Sequence, residues 1–198
     1  MEQFARRGFR GTRVEDIEVA VGLVPRRGGF YRHFDSKEAL FVAVVERYSE
    51  DVTGVGLSVD SLDVSDVRAT LEFVVRATLD VLDQQRALLR ILQRDLDQLP
   101  VGLSEVVHEK LVANGYTFAD RLISRMLASA GRPVVGSTGL AAVALGAIVH
   151  FREDVAVYGI APAGANEEEF VTAWVELMTA ALSPPAHAKR PSQPNPRR

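Results

Sequence analysis

The stretch from Gly22 to Leu40 reads Gly-Leu-Val-Pro-Arg-Arg-Gly-Gly-Phe-Tyr-Arg-His-Phe-Asp-Ser-Lys-Glu-Ala-Leu. A glycine ends one helical pattern and opens a turn. A short basic, aromatic segment follows, then a polar cap and a new amphipathic helix. That order suits a helix-turn-helix whose second helix enters the major groove of DNA. It constrains the fold more than any other stretch, because its turn signals leave room only for short helices packed at an angle.

The pattern before it agrees. Phe4 to Arg7 read as the last turns of a first helix closed by Gly8. Thr12 and Glu15 have capping-box spacing, which predicts the next helix start. That helix would turn Val14, Ile17 and Ala20 inward and end at Gly22. Phe30 and Phe34 stand four apart and share a helix face. Asp35 and Glu38 predict the cap of a fourth helix, with Leu40, Val44 and Tyr48 inward.

Beyond this head the chain stays helical, with no sustained period-two alternation. Gly54 to Ser65 is a polar, glycine-marked linker, so the division falls at residues 1–52 and 53–182. Val67, Leu71, Val74, Val75 and Leu82 mark one helix, and Leu88, Leu89, Leu92 and Leu96 another, stopped by Pro100. Ser104 reads as the cap of a long helix reaching Gly131. Residues 137–158 are rich in Gly and Ala. Asn166 and Glu169 cap a last helix carrying Phe170, Val171, Trp174, Leu177, Met178 and Ala181, apolar over a wide arc. This pair is either buried within one monomer or a homodimeric four-helix interface over residues 137–182, and the second reading is preferred. Residues 183–198, rich in proline and arginine, read as a disordered tail.

Charge separates the same regions. Residues 1–37 carry +3 and residues 183–198 carry +4, which leaves −10 on the rest. A basic head on an acidic body points to a polyanion meeting the head alone. No apolar run reaches the roughly 20 residues of a membrane span. The first residues lack an apolar signal core, so a cytoplasmic location, at the bacterial nucleoid, is expected. With no cysteine, thiolate chemistry and disulfides are excluded.

Candidate DNA-contacting residues follow from chemistry. Arg26 and Arg27 open the basic segment, and a guanidinium can donate two hydrogen bonds to guanine. Gly28 and Gly29 remove side chains where backbone would approach the duplex. Tyr31, Arg32 and His33 offer donors to phosphate oxygens. Lys37 and Thr12 lie at helix starts, where backbone amides favour an anion. The body offers no nucleophile or metal pattern: His108 and His150 stand isolated, and no cofactor, metal or catalytic activity is expected. Arg90, Arg94, Tyr116 and His150 could supply polar contacts in a cavity, but periodicity does not place them there.

These residues resemble the TetR-type family of bacterial transcriptional regulators. The matching positions are Gly8-Phe9, Thr12, Val14, Asp16-Ile17, Ala20, Gly22, then Gly28 to Phe34 and Ser36 to Leu40. The resemblance implies an all-α homodimer, a palindromic operator in double-stranded DNA and a small-molecule effector held in the C-terminal body. It places Thr12, Arg27, Gly28, Gly29, Tyr31, His33 and Lys37 at the family's DNA-contact positions. Repression is likewise implied by the resemblance. The alternative is a dimeric helical module that binds small molecules or partners with impaired DNA binding. Two departures stand out. The first helix is shorter than the family's. The turn after Gly22 is two residues longer, and two extra residues inside a helix would rotate its face by about 200°. The extra pair is therefore expected to bulge around Val24, Pro25 and Arg26.

Overall fold

The computed structural model of the chain describes residues 2–54, 59–86, 91 and 99–183. These residues form helices and turns and contain no strand, so the expected all-α class holds. Residues 55–58, the leucines at 88, 89, 92 and 96, Arg90, Arg94, the side chain of Tyr48 and residues 184–198 lie outside the described residues.

Two short helices begin the head, α1 (Glu2–Gly11) and α2 (Val14–Ala20). As Gly8 foretold, α1 is broken there, at φ 78° and ψ 167°. The next helical piece is a single 3-10 turn, Phe30–Arg32, and α3 runs from Lys37 to Gly54. Phe4, Phe9 and Phe41 interlock with ring centroids 5.3–5.7 Å apart. The cluster they anchor also takes in Val45, Ile91, Leu99, Leu103 and Val107. Residues numbered in the body thus close the core of the head.

Several expected caps are corrected. Thr12 does not cap α2. Its hydroxyl donates to the carbonyl of Gly8 at 2.7 Å, while the Arg13 amide donates to the Asp16 carboxylate at 3.1 Å. Arg13, not Thr12, stands at the N-cap position of α2, and the Thr12 hydroxyl is turned back to the carbonyls of Gln3 and Gly8. Ser36 rather than Asp35 caps α3, accepting from the Ala39 amide at 3.0 Å. Ala20 is exposed, and Glu18 takes the inward place beside Val14 and Ile17.

The body contains α4 (Val67–Gln84), α5 (Val101–Val107), α6 (Asn114–Ser129), α7 (Ser137–Tyr158) and α8 (Glu167–Leu182). Asp66 caps α4 by accepting from the Ala69 amide. Ser104 lies inside α5, which starts from Pro100, because the fixed φ of proline suits a helix entrance. A π-helical stretch, His108–Ala113, carries α5 into α6. The boundaries 137–158 and the Asn166–Glu169 capping box match the expectation.

One apolar core unites α4, α6, α7 and α8 with Val59 of the short 3-10 turn Val59–Ser61. Trp174 lies within it and donates through Nε1 to the Ala144 carbonyl at 2.9 Å. Small residues on α7 permit that approach, and Phe151 stacks on Phe170 at 4.2 Å. The buried side chain of Arg152 joins three helices. Arg152 reaches Asp83 at 3.1 Å and Glu167 at 2.7 Å, tying α7 to α4 and α8. Head and body meet where α3 packs on α5 and the π-helical stretch, and Ser49 donates to the Lys110 carbonyl at 2.9 Å. Among the described residues, no helix is long and apolar enough to cross a membrane.

Candidate nucleic-acid interface

The lengthened turn lies between α2 and the 3-10 turn Phe30–Arg32. Gly28 adopts φ 72°, and Arg26 takes φ 63° despite its side chain. A non-glycine residue there carries about 1–2 kcal/mol of backbone strain. The turn expected to bulge around Val24, Pro25 and Arg26 thus has its non-glycine left-handed residue at Arg26. The reading segment itself differs from expectation: a three-residue 3-10 turn stands where a recognition helix was foreseen. Two successive glycines penalise a full α-helix before it, and the Ser36 cap starts a new one just beyond. At Gly29 a Cβ would stand 3.2 Å from Leu23 Cδ1, so the missing side chain lets the turn fold back on Leu23.

Glu18 organises this turn, and sequence reasoning passed over it. The residue is 2% exposed. One oxygen accepts from the Arg26 amide at 2.9 Å and the other from the Phe30 amide at 3.2 Å. Its own carbonyl accepts from the Leu23 amide at 2.8 Å. The available signal was spacing: Val14, Ile17 and Glu18 fall at i, i+3 and i+4, so an acidic residue occupies the inward stripe of α2.

Around this anchor the expected site residues divide into two groups. Arg26, Arg27, Tyr31, Arg32 and His33 are exposed on one continuous segment with Gly28 and Gly29. The ring of Tyr31, 61% exposed, stands edge-on to Phe30 at 5.2 Å. Phe30 is buried and tilts against Phe34 at 5.8 Å, fixing the segment from beneath. Thr12 and Lys37 are drawn inward instead. Thr12 is 1% exposed. The Lys37 ammonium donates to the carbonyls of Phe9 at 2.7 Å and Thr12 at 3.0 Å and lies 4.5 Å from the Phe9 ring centre.

The electrostatics of α2 temper the positive rim. Arg26 Nε lies 3.2 Å from Glu15, whose own backbone hydrogen bond and Arg26 contact hold its carboxyl below the usual range. Arg7 pairs with Asp16, and that contact, with the Arg13 amide, lowers the Asp16 carboxyl as well. Two arginines are thus oriented by acidic residues at the start of α2. Among the described residues no group of three or more His, Cys, Asp or Glu is placed to hold a metal.

The head of short helices presents an exposed basic, aromatic turn and is set on an all-helical body. Residues 1–44 match the family model described as bacterial regulatory proteins, tetR family. It is 33% identical over 96 residues to the HTH-type transcriptional repressor KstR2 of Rhodococcus jostii (strain RHA1), covering 48% of this chain and 46% of that protein. It is 33% identical over 110 residues to the HTH-type transcriptional repressor DhaR of Mycobacterium sp. (strain GP1), covering 55% and 52%. The chain spans about half the length of the curated relatives it matches. The fold matches that of the transcriptional regulator FadR from Bacillus subtilis in complex with stearoyl-CoA, at TM-score 0.67 and 16% identity over 89% of this chain and 92% of that one.

Proposed function

We propose that the chain is a ligand-responsive, DNA-binding transcriptional repressor working as a homodimer in the bacterial cytoplasm. One observation carries the reading. The exposed donors of Arg26, Arg27, Tyr31, Arg32 and His33 share a turn that is locked onto a helix-turn-helix head matching the tetR family model. Arg27 reads a base edge, and Arg26, Tyr31, Arg32 and His33 hold phosphates. Gly28 and Gly29 let the backbone come close to the duplex. Thr12 and Lys37 support that face from within by fixing the start of α2 to α1 and α3.

Dimer formation through residues 137–182 is supported by the outer faces of α7 and α8. Val143 is 62% exposed and Leu177 63% exposed, amid Ala142, Ala173 and Ala180. Small residues allow close helix approach, and a self-complementary face fits a two-fold dimer. The body takes up a small-molecule effector and leaves it chemically unchanged. Effector binding favours a state in which the two reading turns no longer match successive major grooves.

Selection of bound sequences from random duplexes tests this. Two half-sites are expected with centres about 34 Å apart, or a multiple of that. A pool with no enrichment would overturn the proposal. Affinity for the enriched site should also fall steeply with salt.

A further inference from the structure

We infer that Glu18 is the positioning residue for DNA reading, its buried carboxylate clamping the lengthened turn so that Arg26 to Arg32 move with α2. The inference deepens the DNA-binding reading above and rests on it. A carboxylate is seldom buried unless its oxygens are satisfied. Here both are satisfied by backbone amides of the turn itself, at Arg26 and Phe30. Those amides bracket Arg27, Gly28 and Gly29, and the Leu23 amide on the Glu18 carbonyl holds the entrance. One residue therefore fixes the turn at three points. Without the clamp, the left-handed Arg26 would relax toward ordinary backbone geometry. That relaxation would swing the reading segment relative to α2.

The clamp differs from a purely stabilising buried group in what it predicts. Phosphate contacts tolerate small displacements, whereas base contacts do not. Loss of Glu18 should therefore erode discrimination more than general affinity. Glu18→Gln keeps the shape but points an amide donor at one backbone donor. We expect the folded E18Q chain to lose about tenfold or more in affinity for the enriched duplex, with affinity for random duplex changed by less than about threefold. Amide exchange at Arg26 and Phe30 should quicken in parallel.

An unchanged ratio of enriched to random affinity in folded E18Q would overturn the inference. So would an Arg26 amide that exchanges in the wild-type protein at the rate of an unprotected one. If E18Q does not fold, Glu18→Asp serves instead. It keeps the charge on a shorter stem, and its discrimination should fall between wild type and tenfold loss. Wild-type discrimination in E18D would overturn the inference equally. If the wild-type protein enriches no duplex, the DNA-binding reading fails and the positioning role with it, even where protected Arg26 and Phe30 amides show the clamp to be present.

Discussion

The head and the body solve the same packing problem with different means. In the body, long helices carry wide apolar stripes, and α4, α6, α7 and α8 bury them against one another. Its exposed ion pairs, such as Arg76 with Glu168, sit at the rim. In the head, α1 and α2 are too short to bury much, and a turn occupies the place of a helix. Its core is an aromatic trio completed by Ile91, Leu99, Leu103 and Val107 from beyond the linker. Its backbone is held by side chains reaching into it: Thr12 onto Gly8, Lys37 onto Phe9, Glu18 onto Arg26 and Phe30. Short elements leave many backbone groups unpaired, and buried polar side chains are the remedy. The difference teaches a dependence: the head needs residues of the body to close its core, while, among the described residues, the apolar core of the body draws nothing from the head.

The largest expected effect tests that dependence. Phe41 is fully buried between Phe4 and Phe9. Phe41→Ala should cost about 3–5 kcal/mol of head stability. Trp174 is the single tryptophan and lies in the body, so its fluorescence reports the body alone. Circular dichroism should show an early helical loss at lowered temperature, while the fluorescence transition stays near its wild-type position. Coincident transitions, both lowered, would abolish the distinction between the two cores.

Trp174→Phe probes the other side. It removes the hydrogen bond to the buried Ala144 carbonyl and leaves a gap in the core. A loss of about 2–4 kcal/mol in denaturant unfolding is expected, with amide protection at Arg26 and Phe30 retained under native conditions. Loss of that protection would show the body to control the head more closely than the packing implies.

These two residues also illustrate what was legible in the chain. The body helices could be read because their signals are local: Gly and Ala over 137–158, the cap formed by Asn166 and Glu169, and the stripe Val67–Leu71–Val74–Val75–Leu82. The head gave its turns and its exposed donors for the same reason. What escaped depends on contacts remote in sequence. Nothing near Leu99, Leu103 or Val107 says that they complete the cluster of Phe41. Glu18 is bound to amides 8 and 12 residues away, beyond the reach of helical periodicity. The cap errors are smaller. Thr12 and Asp35 have the right chemistry, but each stands one residue too early: Arg13 is the N-cap position of α2 and Ser36 accepts the first free amide of α3.

Arg27 sharpens the comparison from the side of function. It is exposed on the reading turn, so Arg27→Ala should leave both melting transitions in place. Binding should weaken by about 1–3 kcal/mol on the enriched duplex and less on random sequence. Equal losses on the two, measured at one salt concentration, would make Arg27 a phosphate contact and transfer base reading to other residues of the turn.

The smallest effect concerns the ionic rim of the body. Arg76 donates to both oxygens of Glu168, at 2.7 and 2.8 Å, tying α4 to the start of α8. That contact holds the Glu168 carboxyl below its usual range and raises the Arg76 guanidinium. A carboxylate with a lowered value in the folded state stabilises above its unfolded value of about 4.3. That contribution disappears as pH falls through the lowered folded value. In Glu168→Gln the melting curve followed by Trp174 fluorescence should therefore depend less on pH across the acid range. The difference should shrink as salt is added, because the pair is exposed and screened. Asp16, held down by Arg7 in the head, obeys the same sign, yet its substitution by Asn should leave the Trp174 signal unchanged. If Asp16→Asn altered that signal as much as Glu168→Gln, the ionic contacts of head and body would belong to one cooperative unit, whatever the separation of their apolar cores.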